Sequence, residues 1–210
     1  TLAEIDFSEA ESMPGVIGTF HDGDFAGLAA ETLQQAEAAL AAVNATWNDS
    51  PSTVTSETIF DTLLETAREG EKLGDDTGPA ASDDLTSMIL DPVELTFRAP
   101  YVTHTPIEPR SAVADVREDG VDIWTSTQDP FGVRSGVANA LGRDLESVIV
   151  TPMNAGGAFG SKIIAMAETE AARLSEAFGR PVKMIWSREE EFRNAQYRPA
   201  MLINIVSGID

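Results

Sequence analysis

Cysteine is absent from all 210 residues. That one absence excludes disulfides, thiolate zinc sites, cysteine-ligated iron–sulfur clusters and thiol nucleophiles within the polypeptide, so any redox centre has to be held in another way. Histidine is nearly as scarce: His21 and His104 alone do not make a self-contained zinc or di-iron site. No stretch approaches the ~20 consecutive apolar residues that a membrane-spanning helix requires. The opening residues, Thr1-Leu2-Ala3-Glu4, lack the basic-then-apolar pattern of a signal peptide. They also lack an initiator Met, so the missing signal describes these residues and not a longer parent.

Basic residues are few as well. Fourteen Lys and Arg stand against 35 Asp and Glu, a formal net charge of −21, which repels nucleic acid and anionic membranes alike. The imbalance is uneven, since residues 1–90 hold 18 acids against Arg68 and Lys72, while residues 91–210 hold 17 acids against 12 bases. Such an acidic half suits a salt-loving source, where carboxylates keep the surface hydrated, although single runs such as Asp75-Asp76 or Asp83-Asp84 read as plain solvated surface. What is present is an apolar fraction of 42%, enough for one substantial core or two small ones.

The local patterns predict mixed helices and strands. Gly15 to Phe20 reads as a strand, His21-Asp22-Gly23-Asp24 as a turn and Phe25 to Ala30 as a second strand. From Thr32, a helix cap, Ala36, Ala39, Leu40 and Val43 recur at helical spacing until about Asn44. Residues 48–58 have loop chemistry. A short amphipathic helix then uses Ile59, Phe60, Leu63, Leu64 and Ala67, with Gly70 or Gly74 as its stop. Gly74 to Asp84 reads as an exposed acidic linker, with a domain boundary near residue 90.

Beyond it come strands at Val93 to Phe97, Ala112 to Arg117 and Val121 to Thr125, the last two joined by the hairpin turn Glu118-Asp119-Gly120. A helix from about Gly132 is expected to carry Val133, Val137, Ala140 and Leu141 inward and to close at Gly142. Ser147 to Thr151 is the next strand. Lys162 to Phe178 reads as a helix with Ile163, Ala167, Ala171, Leu174 and Phe178 on one face, ended by Gly179. Val182 to Trp186 and Met201 to Val206 complete the strands. There is no internal repeat and no heptad pattern.

The most informative segment is Asn154-Ala155-Gly156-Gly157-Ala158-Phe159-Gly160-Ser161-Lys162, between a strand and a helix. Glycines free backbone N–H groups to approach a ligand, and a helix N-terminus behind them favours an anion. A Walker A loop needs Gly directly before its Lys, where this chain has Ser161, and the dinucleotide fingerprint needs Gly where it has Ala155. A nucleotide-binding reading is therefore the weakest one. Upstream, Trp124-Thr125-Ser126-Thr127-Gln128-Asp129-Pro130 places an amide at the end of a strand, where a capping or turn role is the simpler alternative. Earlier still, His104-Thr105-Pro106-Ile107-Glu108-Pro109-Arg110 holds a carboxylate between two prolines that fix the backbone direction.

These three segments, in this order, resemble the first cofactor-binding domain of the xanthine dehydrogenase and aldehyde oxidase family, whose members show Met-Glu-Pro, a strand ending Thr-Gln, and a Gly-Gly-Gly-Phe-Gly loop. Gly179-Arg180-Pro181-Val182-Lys183-Met184-Ile185-Trp186-Ser187-Arg188-Glu189-Glu190-Glu191 and Tyr197-Arg198-Pro199-Ala200 extend the likeness toward the isoquinoline 1-oxidoreductase branch. Met13-Pro14-Gly15-Val16, Asp22-Gly23-Asp24-Phe25 and Trp47 resemble the end of the small α/β hammerhead domain of the same large subunit. The resemblance implies an α+β fold: residues 1–47 as the carboxyl-terminal part of a hammerhead-like domain, 48–90 as an acidic linker with a short helix, and 91–210 as the first molybdenum-cofactor-binding domain, truncated.

It also implies a molybdenum–pterin cofactor, in bacteria often the cytosine dinucleotide form, whose metal takes few or no protein ligands. By similarity Gln128 would hydrogen-bond an oxygen on the metal, the backbone of Gly156, Gly157, Ala158, Phe159 and Gly160 would line the cofactor, and Phe159 would shape the pocket. The implied reaction oxidises an aldehyde or N-heteroaromatic compound with water as oxygen source, assisted by a glutamate base in a Gly-x-Gly-Glu segment. No such segment occurs before Asp210, so no catalytic residue is assigned here, and the chain is expected to be incomplete and inactive alone. The implied partners are an iron–sulfur subunit, a second cofactor-binding domain and a small-molecule substrate, in the cytoplasm or, for a longer parent, the periplasm.

Two positions depart from the pattern. Ala158 replaces the third glycine, where a Cβ crowds the cofactor unless its backbone is ordinary, and Ile107 replaces the usual Met at similar volume. Glu108 is read as a structural hydrogen-bonding residue ahead of a site residue, and Lys162 and Arg110 as surface ion-pairing residues ahead of phosphate contacts. A non-catalytic scaffold or degenerate module that binds no cofactor is the alternative function. If the remainder of such a subunit is missing, an exposed apolar flank is expected.

Overall fold

The computed structural model describes residues 1–48, 52–67 and 90–209. They form two compact units that do not follow chain order. One comprises Thr1–Ser50 with His104–Gln196, the other Pro51–Thr103 with Tyr197–Asp210. The class is α+β, as expected. The acidic linker reading for Gly74 to Asp84 and the helix stop at Gly70 or Gly74 lie outside the described residues.

In the first unit, β1 (Leu2–Asp6) leads through a short helix, α1 (Ser8–Glu11), to the hairpin of β2 (Val16–Asp22) and β3 (Phe25–Ala30). Helix α2 (Leu33–Ala41) follows, with the Thr32 hydroxyl accepting from the Gln35 N–H as its cap. The chain returns as β4 (Asn44–Trp47), which pairs antiparallel with β1. The sequence pattern predicts neither β1 nor β4. Both are short and exposed on most positions, and their apolar residues do not alternate as those of a half-buried strand do.

In the second unit, α3 (Ile59–Thr66) accompanies a long two-stranded ladder of β5 (Leu90–Ala99) with a strand near the carboxyl end, described below. Arg98 stacks over the ring of Phe60. A short strand, β6 (Val102–Thr103), ends this part of the chain.

Back in the first unit, the principal sheet is built from β7 (Ser111–Val116), β8 (Val121–Thr125), β9 (Val148–Pro152) and β10 (Val182–Ile185), in the order β10-β7-β8-β9. Neighbours are antiparallel except β8 and β9, which run parallel with Thr125 opposite Pro152. Parallel strands need a crossover, and here it is α4 (Pro130–Leu141) followed by a 3₁₀ turn at Leu145–Ser147. Asp129, not Gln128, caps α4, its carboxylate accepting from the Gly132 N–H at 2.8 Å. Gly142 ends it in the left-handed conformation.

Ala112, Ala114, Ile123 and Val148 from the sheet meet Val133, Val137 and Ala138 from α4 and Ala171 and Ala172 from α5 (Ala167–Phe178) in one core. Ala138 replaces the expected Ala140, which is exposed: the buried stripe turns because α4 lies against both β9 and α5. Helix α5 also packs on the β2–β3 hairpin, where a Cβ on Gly27 would come within 3.1 Å of Leu174 and one on Gly18 within 3.0 Å of Phe178. Arg173 adds an ion pair with Asp22 at 2.8 Å and stacks over Phe25.

The helix expected from Lys162 begins only at Ala167. Its first turn binds its own carboxylate, Glu168 Oε2 accepting from the Met166 N–H at 3.0 Å. The Gly-rich loop is therefore not seated on a helix N-terminus, and that part of the expected anion cradle falls. After β10 comes α6 (Arg188–Asn194), which opens with a capping box between Ser187 and Glu190. In the second unit β11 (Tyr197–Arg198) pairs with β6, and β12 (Met201–Ile209) is the partner of β5.

Candidate functional site

The parallel pair β8–β9 decides where the site lies. Both strands leave the sheet at the same end, so the chain after Thr125 and the chain after Pro152 emerge side by side, tied by the Met153 N–H donating to the Thr125 carbonyl at 2.8 Å. Gln128 follows the first exit and the Gly156–Gly160 loop the second. The Gln128 Oε1 accepts from the Gly160 N–H at 3.0 Å and, more distantly, from the Lys162 N–H at 3.4 Å. Its own N–H donates to the Lys162 carbonyl, as does the Thr127 hydroxyl. With Oε1 committed to N–H donors, the amide orientation is set, and Nε2 keeps both donors free of partners among the described residues.

His104 to Arg110 packs directly against this loop. The Glu108 N–H donates to the Gly156 carbonyl, and the Gly156 N–H returns the bond to Glu108 Oε2 at 2.9 Å. A Cβ on Gly156 would stand 2.8 Å from the Glu108 Cβ, so glycine is required there by proximity. Gly157 and Gly160 are needed for conformation, with φ of +100° and +102°. Phe159, at φ +57°, and Thr105, at φ +40°, are non-glycine residues held at positive φ in the same small region. His104 sits beside Gly160 with Nδ1 donating to the Gln196 carbonyl, which leaves Nε2 on the Gly160 side.

Beneath the loop lie two buried cations. Lys162, 3% exposed, donates from Nζ to Glu108 Oε2 at 2.7 Å and to the Ser126 hydroxyl at 3.1 Å. Burial alone would raise the Glu108 carboxyl; hydrogen bonds from Lys162 and the Gly156 N–H, with the Lys162 charge, outweigh it and hold the carboxyl below its ordinary range. Arg110, also 3% exposed, donates to the Ile164 carbonyl at 3.1 Å and to the Ser161 carbonyl, while its backbone N–H donates to Glu191 Oε1. Its guanidinium lies over the ring of Trp186, whose Nε1 donates to Glu170 at 2.8 Å. Burial pushes the Glu170 carboxyl up, and neighbouring Glu190 and Glu168 add to the rise.

The expectation of surface ion pairs at Lys162 and Arg110 is thus corrected: both are interior. Their partners lie 54 and 81 residues away, which sequence proximity does not disclose. Glu108 does carry the structural hydrogen bonds expected of it. Ser126, Trp186 and Glu191 lie within the quoted segments, yet nothing in those segments assigns them to the site; the capping-box spacing Ser187-x-x-Glu190 is the available sign of the helix that delivers Glu191.

The outer side of the loop is apolar and open. Phe159 is 72% exposed and Ile107 is 91% exposed, with Met153, Ile163 and Ile164 also exposed. Ala158, by contrast, has its side chain buried and its φ outside the positive region, so its Cβ neither strains the loop nor occupies the open side. Among the described residues no group of three or more His, Cys, Asp or Glu is placed to hold a metal ion, and no helix is long and apolar enough to cross a membrane.

Comparison with known proteins supplies the family. A nicotinate dehydrogenase subunit of Pseudomonas putida is 26% identical over 100% of this chain, which spans 18% of that protein. The beta subunit of isoquinoline 1-oxidoreductase from Brevundimonas diminuta is 30% identical over 54% of this chain and 15% of its own length. The chain thus spans less than a fifth of these curated relatives. Among solved structures, quinoline 2-oxidoreductase from Pseudomonas putida 86 superposes with a TM-score of 0.74 at 22% identity, over 100% of this chain and 32% of that one. Aldehyde oxidoreductase from Desulfovibrio gigas gives 0.75 at 22% identity, over 98% and 27%. At such identities the structures establish the fold. The sequence profile of the molybdopterin cofactor-binding domain matches residues 83–210, more than half of the chain, and to that family the chain belongs.

Proposed function

We propose that Gln128 and the Gly156–Gly160 loop form one wall of a molybdenum–pterin site in a larger hydroxylase. The observation that carries this reading is the committed amide of Gln128: its Oε1 is spent on the Gly160 N–H, so Nε2 is presented as a donor. An oxygen on a molybdenum centre is an acceptor such a donor would satisfy. The backbone of Gly156, Gly157, Ala158, Phe159 and Gly160 would line the organic part of the group, and the exposed Phe159 ring would border the substrate space. The residues fit a metal that arrives on its own organic ligand, because the loop offers backbone, an amide and an apolar rim and asks for no side-chain ligation.

When bound, the group supplies the redox chemistry by which oxygen from water enters an aldehyde or an N-heteroaromatic carbon. The relatives' names point to nicotinate and isoquinoline, which supports an N-heteroaromatic substrate. In this reading residues 1–47 are the end of a hammerhead-like domain, 48–90 a linker, and 91–210 part of the first cofactor-binding domain. An iron–sulfur subunit accepts the electrons, a second cofactor-binding domain completes the site with the base, the cofactor takes the cytosine dinucleotide form, and the assembly is cytoplasmic.

Elemental analysis for molybdenum and phosphorus tests it. The 210 residues alone are expected to carry no stoichiometric molybdenum, while a longer polypeptide containing them carries one per chain with pterin phosphorus. A full complement on the 210 residues alone, with aldehyde or heteroaromatic oxidation, would overturn the incomplete-site reading. Absence of the metal from every longer form favours a non-catalytic scaffold instead.

A further inference from the structure

We infer that Arg110, held by Glu191, is a positioning residue for Gln128: it fixes the Ser161–Ile164 backbone so that the Gly160 and Lys162 N–H groups meet the Gln128 amide oxygen.

Residues Ser161 to Met166 belong to no helix or strand, yet the carbonyls of Ser161, Lys162 and Ile164 are all taken. Lys162 gives its carbonyl to the Thr127 hydroxyl and the Gln128 N–H. Ser161 and Ile164 both give theirs to one guanidinium. That fork is planar and rigid, so two carbonyls three residues apart are held at a set separation, which a single-point ammonium cannot do. The stretch thereby held includes Lys162, whose N–H is one of the two donors to Gln128, and follows directly on Gly160, which supplies the other.

The pair is built for geometry more than for stability. Arg110 Nε and Glu191 Oε2 are buried without hydrogen-bond partners, and Arg110 Nε stands 3.8 Å from Glu191 Oε1, too long for a hydrogen bond. Buried ion pairs with unsatisfied atoms generally stabilise no better than apolar residues of the same volume. What the charge adds here is the anchoring of two backbone carbonyls. Glu191 in turn accepts from the Arg110 backbone N–H, fixing the point from which the side chain reaches inward, and the Trp186 ring closes one face of the guanidinium.

The test is amide hydrogen exchange on the full chain, comparing the Gly160 and Lys162 N–H groups with Ile123 in the core of β8, together with the side-chain amide resonances of Gln128. In Arg110→Lys and Arg110→Met, exchange at Gly160 and Lys162 is expected to speed up about tenfold or more while Ile123 stays within about twofold, and the Gln128 resonances to move. Glu191→Gln, which keeps the backbone acceptor, is expected to give a smaller change in the same amides. Unchanged loop exchange in both Arg110 variants overturns the proposal. So does Ile123 losing protection in step with the loop in Arg110→Met and Glu191→Gln alike, since the pair would then serve folding alone. The positioning role rests on the molybdenum–pterin reading only for what Gln128 finally meets: loosened loops in the variants, with no molybdenum in the longer wild-type protein, would keep the positioning and remove the ligand.

Discussion

Glu108 and Lys162, 54 residues apart in the chain, meet at 2.7 Å beneath the glycine-rich loop, with the lysine side chain almost wholly buried and the glutamate about a third exposed. The pair ties the His104–Arg110 segment to the loop, because Glu108 also receives the Gly156 N–H. Glu108→Ala leaves a buried ammonium with only the Ser126 hydroxyl and is expected to cost about 2–4 kcal/mol by urea denaturation. Glu108→Leu combined with Lys162→Met should cost clearly less than the sum of the two single changes, as a double-mutant cycle would show.

The same pair sets an acid limit. The folded Glu108 carboxyl lies below its ordinary value of 4.5, so its contribution is full above that value and disappears as pH falls through the lowered folded one. Stability measured from neutral pH downward should lose this increment in acid. In Glu108→Gln the corresponding part of the pH dependence should be missing.

Glu170 behaves in the opposite sense. Its folded carboxyl is raised, chiefly by burial, so its contribution is complete below 4.5 and is lost as pH rises through the raised value. At neutral pH the raised carboxyl is a standing cost to the fold. Glu170→Gln keeps an acceptor for the Trp186 Nε1 and should raise stability at neutral pH by a few tenths to about 1 kcal/mol, read as a higher melting temperature.

Within the loop, the glycines and Ala158 should respond differently. Gly157→Ala and Gly160→Ala place a Cβ at φ of +100° and +102° and are expected to cost more than about 1 kcal/mol each and to weaken molybdenum retention in the longer protein. Ala158→Gly restores the family's third glycine, yet the Ala158 side chain is buried at ordinary φ. It should lower stability by about 1 kcal/mol and leave molybdenum content unchanged.

Much of this arrangement can be read from local chemistry. Thr32 starts α2, Gly23 and the Glu118-Asp119-Gly120 turn close hairpins, and Gly142 and Gly179 stop helices, because each acts on its immediate neighbours. The site segments are legible too, since glycine runs and prolines announce special backbone. What stays hidden depends on distant partners. The Lys162–Met166 stretch has helical composition, but Arg110, Thr127 and Gln128 claim its carbonyls, so α5 starts late. Arg110 reads as a surface residue because its partner Glu191 comes 81 residues later. Strands β1 and β4 find each other across two helices and a hairpin and carry no alternating hydrophobic pattern.

The parallel run of β8 beside β9 has a consequence for how this region can be rebuilt. Both site segments leave the sheet in one strand register, and α4 packs in the core, so within the connection it is the turn after α4 whose length can change. Insertions near Arg143 and Asp144, or new termini opened there, should leave Gln128 opposite Gly160. A one-residue slip of β9 would move the loop by about 3.3 Å and turn every side chain over. Surgery on that turn should be tolerated where surgery on the paired strands is not.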